Sequence, residues 1–246
     1  IDLLASGISA ATHTNVVSPT FLDEVAMGHH PTIPPHLSHL LYHKREAGVA
    51  SGIVNAPDRS FNPQIDPYLP EEYGPRRHHT IKPKLKKDLQ KRLLLKEDPS
   101  VPILFWPSRL DPVQKGCSLL ADILFQLIND YNHLGLQIVM IADGPYQQHF
   151  QGIVAHHGIS DRIAVQPFSE SLSHLGYGGS DFVLMPSSFE PCGLPQMIGC
   201  RYGSLPIAHA TGGLKDTVRH LNIHENTGNG FLFEHFTTDG FRWAID

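Results

Sequence analysis

The segment MPSSFEPCGLPQMIGCRYGSLPIAHATGGLKDTV, Met185 to Val218, decides how this chain folds. An apolar run, DFVLMPS, leads into it and reads as a buried strand. A carboxylate, Glu190, and a Cys192-Gly193 pair follow. Pro195 then sits where a helix can open, because a first-turn residue needs no N–H partner. LPIAHA is a second apolar run, closed by the Thr211-Gly212-Gly213 turn and a short helix expected near 214–220. Strand, turn, helix, strand, turn, helix is the signature of parallel strands joined by helical crossovers.

The same rhythm extends in both directions. VPILFWPSRL (101–110) reads as a strand and GCSLLADILFQLINDY (116–131) as a helix. LQIVMIADG (136–144) is a strand, and YQQHFQGIVAHHG (146–158) is a helix ending on a glycine suited to its C-cap. RIAVQPF is a strand before a short helix near 170–178. NGFLFE (229–234) is a last strand, and a helix begins near Thr237. Near-continuous apolar strands imply a parallel sheet covered on both faces. The expected fold class is therefore α/β, a doubly wound, Rossmann-like parallel sheet over residues 81–246. Such folds bind ligands at the carboxyl ends of their strands. The residues just past each strand are Arg109, Asp143-Gly144, Phe168, Ser187 to Gly193 and Thr211 to Gly213, and one crevice should collect them.

Residues 1–80 read differently. THTNVVSPTFLDEV (12–25) looks like strand, Ser-Pro turn and helix, with few visible strand partners. SGIVNAPDRSFNPQIDPYLPEEYGP (51–75) is rich in Pro, Asp and Asn and reads as an extended loop or linker. KPKLKKDLQKRLLL (82–95) reads as a basic amphipathic helix whose lysines face solvent. The chain opens and closes mid-pattern and is expected to be part of a longer protein.

A formal net charge of −5 argues against a nucleic-acid partner, which calls for a basic face. The three cysteines form no CxxC pair and suggest a reducing compartment. No apolar run is long enough to span a bilayer. Seventeen histidines are many for this length. His39 and His43 share a helical spacing that zinc sites use, but no third ligand follows, so a solvated polar insertion is the default and no metal is expected.

Glycines directly after strands let backbone N–H groups approach an anion, and a helix start adds unpaired donors and partial positive charge. EPCGLP and TGGL place two such turns side by side. SRLDPVQKG supplies Arg109 and Lys115, an acid-binding pair flanking a strand-to-helix turn. Singly these features are ordinary. A Gly-Gly turn is usually loop geometry, Glu190 suits any helix start, Cys192 suits any small-residue site, and Phe168 suits a core. Together they fall on one sheet edge.

PSSFEPCGLPQMIGCRYGSLPIAHATGGLKDTV closely resembles the donor-site segment of bacterial glycogen synthases and plant starch synthases, which extend α-1,4-glucan from ADP-glucose. SRLDPVQKG resembles their SRLxxQKG motif with one residue more, and VVSPTF their VSPTY segment. GIVNAPD resembles their LNGID turn, QPFSESLSH the stretch with an aromatic against the donor base, and NGFLFE their GFxF strand. The resemblance implies the C-terminal lobe of a two-lobed GT-B fold, with residues 1–80 a remnant of the N-terminal lobe and interlobe linker. It implies that Arg109 and Lys115 hold the donor diphosphate and that Glu190 bonds the donor glucose. Cys192, Gly193 and Leu194 would surround sugar and phosphate, and Thr211, Gly212 and Gly213 would face the diphosphate. Phe168 would stack on adenine, and Asn55 matches the hinge Asn. Ser188 stands where the family has Arg. The acceptor would be an α-1,4-glucan such as glycogen, reached through the N-terminal lobe. No cofactor is implied, the location would be a bacterial cytoplasm, and this chain alone would turn over weakly or not at all. A UDP-sugar transferase of the same fold and a non-catalytic nucleotide- or glucan-binding module are the other readings.

Overall fold

The computed structural model describes residues 2–246. Its larger body is a six-stranded parallel sheet in the order β5-β4-β3-β6-β7-β8. The strands are β3 (Ile103–Trp106), β4 (Gln137–Ile141), β5 (Ile163–Gln166), β6 (Phe182–Met185), β7 (Leu205–His209) and β8 (Phe231–Phe233). Helices α5 (Cys117–Asp130), α6 (Gln147–His157), α7 (Glu170–Gly179), α8 (Pro195–Tyr202), α9 (Gly212–Thr217) and α10 (Thr238–Ile245) connect and cover them. The expected doubly wound α/β class is what forms. The last short helix starts two residues earlier than 214, at Gly212.

Why the strands are apolar throughout is visible in their two faces. Leu104 and Trp106 point into one core with Ile138 and Met140, whereas Ile103 and Phe105 point into the other with Val139 and Ile141. Period-two alternation thus feeds two cores at once. Each such side chain, fully buried, contributes roughly 1.5–3 kcal/mol. The chain winds outward through β3, β4 and β5, then returns to place β6 beside β3. The strand order therefore switches between β3 and β6, and a crevice opens at their carboxyl ends.

The smaller body holds a two-stranded parallel sheet, β1 (Thr14–Val16) with β2 (Ala50–Gly52). The partner strand that the sequence hid thus lies at the edge of the presumed linker. Helices α1 (Leu3–Ala10), α2 (Pro19–Ala26) and α3 (Pro35–Glu46) flank it around Leu22, Val25 and Leu41. Ser18 caps α2, its Oγ accepting from the Phe21 N–H at 3.1 Å, with Pro19 in the first turn. The histidine-rich stretch is mostly α3. His39 and His43 lie exposed on it, whereas His30 is buried. Among the described residues no group of three or more His, Cys, Asp or Glu is placed to hold a metal.

One sequence expectation is corrected here. Helix α4 (His78–Arg92) is not a solvated basic helix, because Lys82 and Lys86 are buried on the face that carries Ile81, Leu85 and Leu89. Lys82 Nζ donates to the carbonyls of Gly178 at 2.9 Å and Tyr202 at 3.0 Å, and lies 3.1 Å from Ser204 Oγ. Those carbonyls end α7 and α8, so one lysine amine meets the negative ends of two helices. Lys86 donates to the Val101 carbonyl at 2.8 Å and to Asp181 at 2.7 Å. Of the loop or linker expected at 51–75, a loop forms. It is irregular but anchored, with Leu69 and Tyr73 buried in the core beneath α4. Buried Asp66 takes hydrogen bonds from His174 Nδ1 at 2.8 Å, the Tyr202 hydroxyl and the Tyr68 N–H. Burial pushes the Asp66 carboxyl up, but the bonds from His174, Tyr202 and Tyr68 outweigh it and hold the group below its ordinary value.

Candidate active site

The loop after β3 carries Arg109 and Lys115 and turns on Asp111. Its Oδ1 accepts from the N–H groups of Val113 at 2.8 Å and Gln114 at 2.9 Å, and its carbonyl accepts from the Lys115 N–H at 3.1 Å. This Asp-capped turn absorbs the residue by which SRLDPVQKG exceeds its model motif. Nearby backbone bonds hold the Asp111 carboxyl below its usual range, the Gln114 N–H contributing most. Gln114 bridges onward, with Oε1 3.4 Å from Arg109 Nη2 and Nε2 3.4 Å from the Phe189 carbonyl. Lys115 then reaches across the switch point to Glu190, Nζ to Oε2 at 2.5 Å, with both side chains nearly buried. The Ser187 hydroxyl donates to the same Oε2 at 3.1 Å.

The two glycine turns touch each other. A Cβ on Gly212 would lie 2.0 Å from the Glu190 carbonyl oxygen, and one on Gly213 would lie 2.2 Å from that of Cys192. Only glycine lets these backbones pack. The donors of the second turn are engaged by protein. The Gly213 N–H donates to the Glu190 carbonyl at 2.9 Å, and the Gly212 N–H donates to Glu24 Oε1 at 3.0 Å. Thr211 Oγ1 donates to the same carboxylate at 3.1 Å. The anion held at this turn is thus Glu24 of α2, itself paired with buried His30 at 3.1 Å. A second tie holds α2 to α9, where the Thr20 N–H and hydroxyl donate to Asp216 at 3.0 and 2.6 Å.

In the first turn, Gln196 Nε2 donates to the carbonyls of Cys192 and Gly193, both at 3.0 Å, and so sets the course of Cys192, Gly193 and Leu194 into α8. Burial pushes the Cys192 thiol up, and the Asn55 backbone N–H beside it only partly offsets this. That contact brings Asn55 to the turn, and the upward push of burial is the reverse of what activates a cysteine. Phe168 is 56% exposed at the end of β5, so it is not core. Its N–H donates to Asp143 Oδ1 at 3.0 Å. With Arg109, Asp143 and Gly144 it lines a cavity of about 400 Å³ at the carboxyl ends of β3, β4 and β5. A neighbouring cavity of about 300 Å³ joins Glu24, His30 and Thr211 to Val113, Ser188 and Phe189. A further cavity, of about 450 Å³, is mostly apolar, lies around Phe182, Phe231 and Trp243, and contains none of these groups.

Every expected site residue therefore lies at or against the carboxyl edge of the sheet. Sequence reading missed Glu24, Gln114 and Gln196. Gln114 and Gln196 sit inside the quoted motifs and were available. Glu24 was not, since neither spacing nor residue type marks it.

The doubly wound lobe, a six-stranded parallel sheet flanked by helices, matches the GT-B glycosyltransferase domain of a starch synthase. Residues 86–246 match the family model Glycosyl transferases group 1, and the chain belongs to that family. It is 35% identical over its whole length to a glycogen synthase of Desulforamulus reducens and 34% identical to one of Bacillus subtilis, covering 49% of each. The catalytic domain of starch synthase IV from Arabidopsis thaliana, bound to ADP and acarbose, superposes with a TM-score of 0.86 at 32% identity, over 98% of this chain and 49% of that one. The chain thus spans about half the length of the curated relatives it matches. No helix among the described residues is long and apolar enough to cross a membrane.

Proposed function

We propose that this chain is the donor-binding part of an ADP-glucose-dependent glycogen synthase, which transfers glucose with retention to the non-reducing end of an α-1,4-glucan. The Lys115–Glu190 pair across the strand switch carries the reading, because it puts a cation and a sugar-bonding acid at one point. The bond to break joins glucose C1 to a diphosphate. As it breaks, positive charge grows on the sugar ring and negative charge on the leaving ADP. Arg109 and Lys115 stabilise the leaving diphosphate electrostatically, with no cofactor in the scheme. Entry of the diphosphate draws Lys115 away from Glu190, whose carboxylate then accepts from sugar hydroxyls and orients the ring. Phe168 offers an exposed ring face to the adenine. The glucan acceptor reaches the sugar through a lobe outside this chain, in the cytoplasm of a bacterium.

Titration calorimetry with ADP and with UDP tests this. ADP should bind with micromolar to millimolar affinity and UDP at least tenfold more weakly. Preference for UDP supports a UDP-sugar transferase instead, and binding of neither supports a non-catalytic module. Glucan synthesis by the chain alone should be feeble, and brisk synthesis overturns its reading as a part.

A further inference from the structure

His209 is the last residue of β7 and lies between the ends of β6 and β8. Its ring is buried and packs against Phe233 and Phe236, with centroids 5.2 and 5.3 Å away. Nδ1 lies 2.8 Å from the Ser187 carbonyl, and Nε2 lies 3.3 Å from the Glu234 carbonyl. A carbonyl can only accept, so the shorter contact places a proton on Nδ1. Burial pushes the imidazole below its ordinary value, against the pull of both carbonyls and of Glu24, and so favours a neutral ring that donates once.

The residue that His209 grips is the one that grips the acid. Ser187 is 1% exposed, its carbonyl is held by His209, and its hydroxyl donates to Glu190 Oε2 at 3.1 Å. A chain of two hydrogen bonds thus runs from the end of β7 to the carboxylate after β6. We infer that His209 is a positioning residue for Glu190, acting through Ser187 by its Nδ1–H. The inference rests on the proposed reading, in which Glu190 bonds the donor sugar while ADP is held elsewhere.

Asparagine and glutamine separate the two ring nitrogens. The Asn side-chain nitrogen stands as many bonds from Cα as Nδ1, and that of Gln as many as Nε2. The probes are ADP and ADP-glucose, titrated against wild type, His209→Asn, His209→Gln, His209→Phe and Ser187→Ala, with melting temperatures recorded alongside. Wild type should bind ADP-glucose several-fold more tightly than ADP. His209→Asn should keep that ratio within twofold. His209→Gln, His209→Phe and Ser187→Ala should each cut it at least fivefold while ADP affinity stays within twofold.

Equal ratios for Asn and Gln, or a parallel loss of ADP and ADP-glucose, would overturn the inference and leave the nucleotide reading intact. Retention of the ratio in Ser187→Ala would overturn the relay. A wild-type chain that binds neither ligand, or binds both equally, defeats the underlying reading and the inference with it. Should the Phe variant fail to fold, the Asn–Gln contrast and Ser187→Ala still decide.

Discussion

Lys115 and Glu190 stand 75 positions apart in the chain and 2.5 Å apart in space, joining the loop after β3 to the loop after β6. The pair is nearly dry, with side-chain exposures of 12% and 8%. Removing one member of such a pair strands the other. Lys115→Met should therefore destabilise the protein by about 3 kcal/mol, and Lys115→Met with Glu190→Gln should regain most of that. Both variants should lose ADP affinity tenfold or more, because the lysine is absent from each. Glu190→Gln alone frees the lysine and should tighten ADP while weakening ADP-glucose relative to it. Urea midpoints and ADP titrations check all three, and equal stability of the single and double variants would show that the pair holds nothing.

Two glycines with opposite surroundings test why the turns contain glycine. Gly213→Ala would press a methyl to 2.2 Å from a backbone oxygen, where nothing flexible can yield. It should cost more than about 2 kcal/mol and abolish ADP binding by parting the turns. Gly152 lies inside α6 with no atom within 4 Å of a Cβ. Gly152→Ala should stabilise by about 0.5–1 kcal/mol through helix propensity alone, with ADP affinity unchanged. Loss of binding in Gly152→Ala would mean that the readout follows general stability rather than the turn.

The contrast between these glycines also shows what could be read from the chain. The strands of residues 101–234 were legible because double-sided burial leaves apolar runs that nothing else explains. Glycines past strand ends were legible as turns, and Pro195 as a helix start. The partners of those turns were not. Gly212 and Gly213 looked like donors aimed at an anion, but their N–H groups serve Glu24 and Glu190. Glu24 comes from 188 positions upstream, and no local pattern announces such a contact. Lys82 and Lys86 looked solvated because lysine usually is. Their burial depends on carbonyls at the ends of α7 and α8 and on Val101, which meet only in the folded chain.

Phe168 is an exposed aromatic ring at the rim of the cavity that also holds Arg109 and Asp143. A ring half in water contributes little to stability, so substitution there should report on ligand alone. Phe168→Ala should weaken ADP about tenfold, the scale of one stacked base. Phe168→Tyr should bind within twofold of wild type, since both rings offer the same face. Melting temperatures should move by under 2 °C in either. An unchanged ADP affinity in Phe168→Ala would remove the ring from the donor site.

Lys82 offers a test of the fold through pH. Burial pushes its amine down to about 7, and an unfolded lysine ionises near about 10.4. Between those values the unfolded chain binds more protons at this group than the folded one. Stability must then rise with pH across that window, and the whole penalty is present below pH 7. The carbonyls of Tyr177, Gly178 and Tyr202 oppose this by favouring the charged form. Wild type compared with Lys82→Met isolates the group together with its coupling to Asp181 and Lys86, because the remaining titrations are common to both. Urea midpoints at pH 7, 8 and 9 should show wild type gaining on Lys82→Met by about 1 kcal/mol per pH unit. The variant should be the less stable at pH 9, where its lost hydrogen bonds leave helix-end carbonyls unpaired. A flat difference from pH 7 to 9 would mean that the carbonyl cage outweighs burial, and that Lys82 stays an ammonium in the core.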